Sequence, residues 1–257
     1  MGGSWDVVGR YERSFFIASR DSGTLLSLVR GDLPNGPYTV RLDKRAPRDM
    51  RTLATTPLIT WREALTWRPR MVSPAEAAAV AELARRAADL ELLLATNEGG
   101  SQGARTVVPA ADAAALERAI AADDATAAAA AAAPIAGRGP GLTPSGDDLL
   151  AGLLAVHAWA EAAGLGGAPG LRGAVANASV PRTTRLAGQL LDAAADGCVT
   201  APLADLLTAI LRRDGRFEEA VPGVLAIGAT SGADLLFGVE VGARAIARRE
   251  SGERRIP

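Results

Sequence analysis

Two stretches of this chain are near copies of each other. They are Ser145-Gly146-Asp147-Asp148-Leu149-Leu150-Ala151-Gly152 and Ser231-Gly232-Ala233-Asp234-Leu235-Leu236-Phe237-Gly238. Both read S-G-x-D-L-L-x-G and both continue into helical sequence, so the fold has to accommodate two equivalent helix starts. With Ser145 as N-cap, Asp148 falls at the third helical position, where its carboxylate reaches back to the cap. Gly152 then lies two turns on and on the same face, where another backbone can approach closely. The same spacing relates Ser231, Asp234 and Gly238. One reading is purely structural: two capped helices that pack through small residues. The other is functional, with the two helix N-termini facing one cleft.

The functional reading begins in the loop before the first copy. Gly137-Arg138-Gly139-Pro140-Gly141-Leu142-Thr143-Pro144-Ser145-Gly146 sets glycines, two hydroxyls and an arginine at a helix N-terminus. Free amides and the positive end of the helix dipole make an anion site there. Gly139, Gly141 and Gly146 allow close backbone approach, and Thr143 and Ser145 can donate hydrogen bonds. Asp147 and Asp148 would repel a bare anion unless they hold Mg²⁺ or accept from substrate N–H groups. A substrate with both an anionic and an amide end suits that mixture. Arg182-Thr183-Thr184-Arg185 offers further hydroxyls and guanidinium forks at another helix start; its alternative is a threonine cap with exposed arginines.

Composition removes other chemistries. The 257 residues include one Cys (Cys198), one His (His157) and one Lys (Lys44). An intrachain disulfide, a Cys-Cys redox pair and a four-ligand zinc site are therefore excluded. Lys44 follows no glycine-rich loop, so there is no P-loop. A formal charge of −1 argues against a duplex nucleic-acid partner. No apolar run has the length and character of a membrane span. Met1 to Arg13 carries Asp6 and Glu12 and no apolar core, so it is not read as a signal peptide. The expected setting is the cytoplasm. His157, roughly 18 Å down the helix from Ser145, and Cys198 read as packed residues rather than catalytic ones. Trp5, Trp61, Trp67 and Trp159 read as core.

The chain changes character near residue 70. Phe15-Phe16-Ile17, Thr24 to Val29 and Tyr38 to Leu42 are short runs separated by Gly, Asn, Asp and Pro turns, which predicts a small antiparallel β barrel or sheet. From Ser73 the pattern is helical, with Ser73-Pro74-Ala75-Glu76 as a helix start and an end near Ala95. A second helix is predicted from about Asp112 through the seven alanines Ala127–Ala133 to Pro134. Further helices are predicted at 146–163, 183–196, 203–213 and 231–249, and Gly164 to Gly173 reads as a loop. The expected organisation is an N-terminal β-rich unit over 1–70 and an α-helical domain over 71–257 that carries the site, an α+β fold.

The series G-x-G-P-G-L-T-P-S-G-D-D-x-L-x-G, a Thr-Thr helix start and then S-G-x-D-x-L-x-G resembles the AllH-like family. The matching stretches are Gly137 to Gly152, Thr183 to Gly197 and Ile227 to Gly238, and the β-rich start is also similar, so the resemblance reaches over most of the chain. Members are subunits of bacterial oxamate carbamoyltransferase, an enzyme of allantoin breakdown, together with uncharacterised relatives. The resemblance implies a multi-subunit enzyme that converts oxalurate and phosphate to oxamate and carbamoyl phosphate. It points to Gly139, Gly141, Thr143, Ser145, Gly146, Asp147, Asp148, Thr183, Thr184, Ser231, Gly232 and Asp234. Ala229 and Ala187 stand where the family often has a polar residue.

These readings converge on one expectation. Asp147, Asp148, Ser145 and Asp234 are the candidate catalytic groups. Gly139, Gly141, Thr143, Ser145, Gly146, Arg182, Thr183, Thr184, Ser231 and Gly232 are the candidate substrate or anion binders. No cofactor is required, and Asp147 and Asp148 offer the one place for a divalent metal such as Mg²⁺. Expected partners are a small anionic or ureido substrate and either other carbamoyltransferase subunits or further copies of the chain. The rival functions are a non-catalytic anion-binding scaffold and a stand-alone metal-assisted enzyme acting on a ureido or amide substrate.

Overall fold

In the computed structural model of the chain, residues 4–42, 47–52, 67–74, 80–96, 103–165, 167–168, 170–212 and 215–252 are described. The first unit, Met1–Pro69, is built on four strands: β1 (Trp5–Arg10), β2 (Ser14–Ser19), β3 (Leu25–Arg30) and β4 (Thr39–Leu42). They form an open sheet in the order β1-β2-β3-β4, not a closed barrel. Phe15, Ile17, Leu28 and Met50 form its buried core. The first two pairings are antiparallel, as the short turns dictate, but β3 and β4 run parallel. Gly31 to Tyr38 is long enough to carry the chain back along β3 instead of reversing it. The return begins with a turn in which the Leu33 amide donates to the Arg30 carbonyl. It ends with Tyr38 in the left-handed region at φ 53°. Of the expected core tryptophans in this unit, Trp5 and Trp67 are half-buried; Trp61 lies outside the described residues.

The second unit, Arg70–Pro257, is helical. Its helices are α1 (Val80–Thr96), α2 (Ala104–Val107), α3 (Ala110–Ala121), α4 (Ala125–Ala132), α5 (Ser145–Ala162), α6 (Leu171–Ser179), α7 (Arg185–Ala195), α8 (Ala201–Arg212), α9 (Phe217–Leu225) and α10 (Ser231–Glu250). Of the expected helix start at Ser73–Glu76, residues 75 and 76 lie outside the described residues. The single helix predicted from Asp112 through the alanines is two. Asp123 takes a left-handed conformation at φ 54°, and the Asp124 side chain caps the new helix on the Ala127 amide at 2.9 Å. Part of the predicted Gly164–Gly173 loop is helical, because α6 starts directly after Gly170. The alanine tract packs along one face, where Ala128 and Ala132 are fully buried, and Ala130 on the other is exposed.

The centre of this unit is the pair α5 and α10, the two helices that begin with the repeated sequence. Among the described residues, nearly all of α5 is inaccessible to solvent. The glycines explain the packing. A Cβ on Gly152 would lie 2.1 Å from the Leu235 carbonyl oxygen, and one on Gly238 would lie 1.9 Å from that of Leu149. These are equivalent positions of the two repeats, so each helix offers its glycine to the other's backbone. Further along, Gly242 meets Val156 and Leu153. The contacts advance in the same direction on both helices, so α5 and α10 run parallel with their N-termini at one end. Buried ion pairs tie α10 to its other neighbours: Glu240 accepts from Arg105 of α2 at 2.5 Å and from Arg244 at 2.8 Å, and Arg244 reaches Glu117 of α3 at 2.9 Å.

Trp159 and His157 lie deep in α5. Trp159 is fully buried and donates from Nε1 to the Gly197 carbonyl at 3.0 Å. His157 is 1% exposed, and neither of its ring nitrogens has a hydrogen-bond partner. Burial, reinforced by the Arg249 and Arg172 charges, pulls its pKa down to about 4. The unfolded chain takes up that proton near pH 6.5, so stability is lost as pH falls from about 6.5 to about 4. The loss amounts to roughly 3 kcal/mol. His157→Leu is expected to flatten that limb of a stability–pH curve measured by urea unfolding.

Candidate functional site

The two repeats each consist of a helix, a glycine turn and a second helix: α4–α5 and α9–α10. Gly139 and Gly228 hold left-handed conformations, φ 107° and 60°, and fold the chain back over Ser145 and Ser231 respectively. A side chain there would be strained, and at Gly139 it would also press on the Ser145 amide at 2.9 Å. Gly146 and Gly232 then pack against the Ile135 and Val224 carbonyls at the ends of the preceding helices. The first turn is longer by the stretch that contains Gly141, Leu142 and Thr143. Gly141 and Leu142 are exposed at its tip.

The capping-box expectation is not what forms. Pro144 and Thr230 occupy the N-cap positions, neither helix has a side-chain cap, and Ser145 and Ser231 are the first helical residues. Asp148 and Asp234 consequently sit one position too late to cap their own helices. Because the two N-termini lie side by side, the partners are exchanged. The Ser231 hydroxyl approaches the Asp148 carboxyl, and the Ser145 hydroxyl approaches the Asp234 carboxyl. Thr143 joins the first pair from the longer loop, with its Oγ1 3.4 Å from Ser231 Oγ.

The three aspartates differ in role. Asp147 Oδ1 accepts the Gly137 amide at 2.9 Å, and its Oδ2 accepts the Thr183 hydroxyl. It is a strut between the glycine loop and the turn before α7. Burial raises its pKa, and these two donors oppose the rise. Asp234 Oδ1 accepts the Ala104 amide at 2.5 Å, which ties α10 to the start of α2. Burial raises its pKa, and the Ala104 amide is the chief opposing influence. Asp148 has the least support. It is 7% exposed, and burial together with the charges of Asp234 and Asp147 pushes its pKa up to about 8 against the pull of Ser231 and Thr143. Asp148 Oδ2 and Asp234 Oδ2 are both buried without a hydrogen-bond partner.

The remaining candidates divide. Ser145, Gly146, Thr143, Ser231 and Gly232 belong to this centre. Thr183 reaches it through Asp147. Thr184 caps α7 on the Ala187 amide at 3.1 Å and donates to the Leu142 carbonyl at 2.5 Å, which holds the longer loop. Arg182 is exposed, and its Nη1 donates to the Ala178 carbonyl at 2.7 Å, which turns the guanidinium toward its own turn. Arg138 likewise donates to the Pro134 carbonyl at 2.6 Å. Both oxygens of Asp147 are engaged, and among the described residues no group of three or more His, Cys, Asp or Glu side chains is placed to hold a metal. Sequence reasoning missed the Ala104 and Gly137 amides, because a backbone donor leaves no side-chain signature. It also missed Thr230, which approaches Asp234.

Two parallel N-termini pool their amide dipoles at one end. Two buried carboxyl groups there each keep an oxygen that lacks a donor. In a folded chain such oxygens are costly, and N–H groups are the donors that would complete them. The hydroxyls of Thr143, Ser145 and Ser231 can in turn donate to ligand oxygens.

Residues 135–243 match the family model described as Oxamate carbamoyltransferase subunit AllH. The match takes in both S-G-x-D-L-L-x-G helix starts and the Thr183-Thr184 turn. It is narrower than the resemblance expected over most of the chain, because the β-rich N-terminal unit lies outside it. No curated protein and no solved structure matches the chain. Among the described residues no helix is long and apolar enough to cross a membrane.

Proposed function

We propose that this chain is a subunit of a carbamoyltransferase-type enzyme resembling oxamate carbamoyltransferase. It works in the cytoplasm with partner subunits in allantoin nitrogen breakdown. The reaction is attack of phosphate on the carbamoyl carbon of oxalurate, or of a related ureido acid, which releases oxamate and carbamoyl phosphate. The observation that carries this reading is the buried carboxyl group of Asp148, poised near neutral pH between two helix N-termini. That arrangement answers the needs of the reaction. Amides and the hydroxyls of Ser145, Ser231 and Thr143 suit the phosphate and the developing oxyanion. Asp148 and Asp234 suit the ureido N–H groups and the proton that must reach the leaving nitrogen. No covalent nucleophile is needed, which accords with a chain of one Cys and one His.

Arg182 and Arg138 are turned onto their own carbonyls, and this favours a second reading in which the chain binds the anion while a partner subunit holds the chemistry. Calorimetric titration separates the two. The isolated chain is titrated with phosphate, carbamoyl phosphate and oxamate, and the assembled enzyme is assayed for carbamoyl phosphate. We expect binding by the chain and turnover by the assembly that is lost in Asp148→Asn. Binding with turnover indifferent to Asp148 leaves the scaffold reading. No binding and no turnover refutes both.

A further inference from the structure

We propose that Asp148 and Asp234 act as one proton-exchanging pair, Asp148 delivering a proton and Asp234 accepting one, each held by the serine of the other repeat. The proposal deepens the carbamoyl-transfer reading and relies on it for the identity of the reacting groups. The geometry has three parts. The approaches are crossed, the Ser231 hydroxyl to Asp148 and the Ser145 hydroxyl to Asp234, so neither helix completes its half of the centre alone. Both carboxyl groups are more than nine-tenths buried, and the Oδ2 of each has no hydrogen-bond partner. The two environments also differ in kind. Asp234 accepts a backbone amide, Ala104 N–H at 2.5 Å, a donor that favours the ionised form. Asp148 is approached by the hydroxyls of Ser231 and Thr143, and a hydroxyl can accept from a protonated carboxyl as readily as it donates to an ionised one. The charged groups acting on Asp148 are Asp147 on its own helix and Asp234 on α10, both acidic. Acting on Asp234 are the Ala104 amide of α2 and the hydroxyls of Ser145 and Thr230.

The backbone amide on Asp234 and the two acidic neighbours of Asp148 are the source of the asymmetry. The longer first turn supplies Thr143 to the Asp148 side, where the shorter second turn supplies Thr230 to Asp234; the Ala104 amide, which Asp234 alone accepts, completes the difference. Two carboxyl groups whose surroundings push them apart are suited to separate acid and base roles.

The proton balance follows. A phosphate oxygen forms a bond to the carbamoyl carbon, and the bond from that carbon to the leaving amide nitrogen breaks. The electron pair of the broken bond goes to nitrogen, which takes a proton from Asp148. The attacking hydrogen phosphate gives its proton to Asp234. Nothing is oxidised or reduced, and no net charge is gained. Turnover ends with the proton on the other member of the pair, which is the starting state for the reverse reaction.

The test has two arms. In the assembled enzyme, the pH profile of kcat is expected to have an acid limb set by Asp234 and an alkaline limb set by Asp148. Ser231→Ala removes a donor to Asp148 and moves the alkaline limb up by about one unit, leaving the acid limb in place. Ser145→Ala moves the acid limb up by about one unit and leaves the alkaline limb. Neither limb moving, or both moving together in either variant, overturns the proposal even if the wild-type enzyme turns over. The second arm needs no activity. Infrared difference spectra of the isolated chain at pH 7 should show one protonated carboxyl that is lost in Asp148→Asn and kept in Asp234→Asn. Its loss in Asp234→Asn alone, or its absence from the wild type, overturns the assignment.

Discussion

Asp148→Asn is expected to raise the thermal stability of the chain at pH 7 while destroying its usefulness. The sign follows from linkage. In the unfolded chain this carboxyl gives up its proton near pH 4, whereas in the fold burial holds the proton until about pH 8. The folded state therefore loses stability as pH rises from about 4 to about 8, and at pH 7 the site costs on the order of a few kcal/mol. Asparagine keeps the shape and the hydrogen-bonding reach and has no proton to lose. It should raise Tm by about 5–10 °C at pH 7, with the gain shrinking to nothing below about pH 4. Scanning calorimetry of both proteins across that range checks this. A lower Tm at pH 7 would mean that the carboxylate is a structural cap. A group that destabilises its own fold and is nevertheless built in is what an active centre contains.

The opposite outcome is expected at the helix crossing. Gly238→Ala puts a methyl group where the Leu149 carbonyl oxygen lies 1.9 Å away, and Gly152→Ala one where that of Leu235 lies 2.1 Å away. Both obstacles are backbone atoms of a buried helix, so α5 and α10 must separate. Each substitution should cost about 3 kcal/mol or more. Once the helices are apart for one methyl group, the second costs less, so the double variant should fall well short of the sum of the singles. Urea unfolding of the two single variants and the double one measures this. The separation also pulls Ser231 from Asp148 and Ser145 from Asp234, so any variant that folds should lose ligand binding along with stability. Alanine tolerated at both positions would contradict the close parallel packing on which the crossed pairs depend.

The positions of these helices are legible in the repeat itself. S-G-x-D-L-L-x-G marks the starts of α5 and α10 to within one residue, and the glycines two turns on mark the crossing. What the repeat does not reveal is which serine serves which aspartate. Local reasoning pairs residues of one helix, and so it matches Ser145 with Asp148. The exchange arises only because two equivalent helices lie parallel, which is a tertiary fact. The same limit explains the other differences. Continuous alanine propensity hides the break at Asp123-Asp124, where one left-handed residue redirects the chain. The glycines around residue 170 disguise the start of α6. The parallel partner of β3 cannot be told from an antiparallel one by alternation, which is the same in both. Arg182 resembled an anion ligand because a guanidinium at a helix start often is one; here the nearby Ala178 carbonyl takes it.

The central claim is that the crossing of the two repeats is a working centre and not merely a packing device. Its most direct test is turnover of oxalurate and phosphate by the assembled enzyme carrying Asp148→Asn or Asp234→Asn, with folding confirmed for each. The expected result is loss of kcat by about 10²- to 10⁴-fold in both variants, with the chain intact and, for Asp148→Asn, more stable than the wild type. Full activity in either folded variant would contradict it.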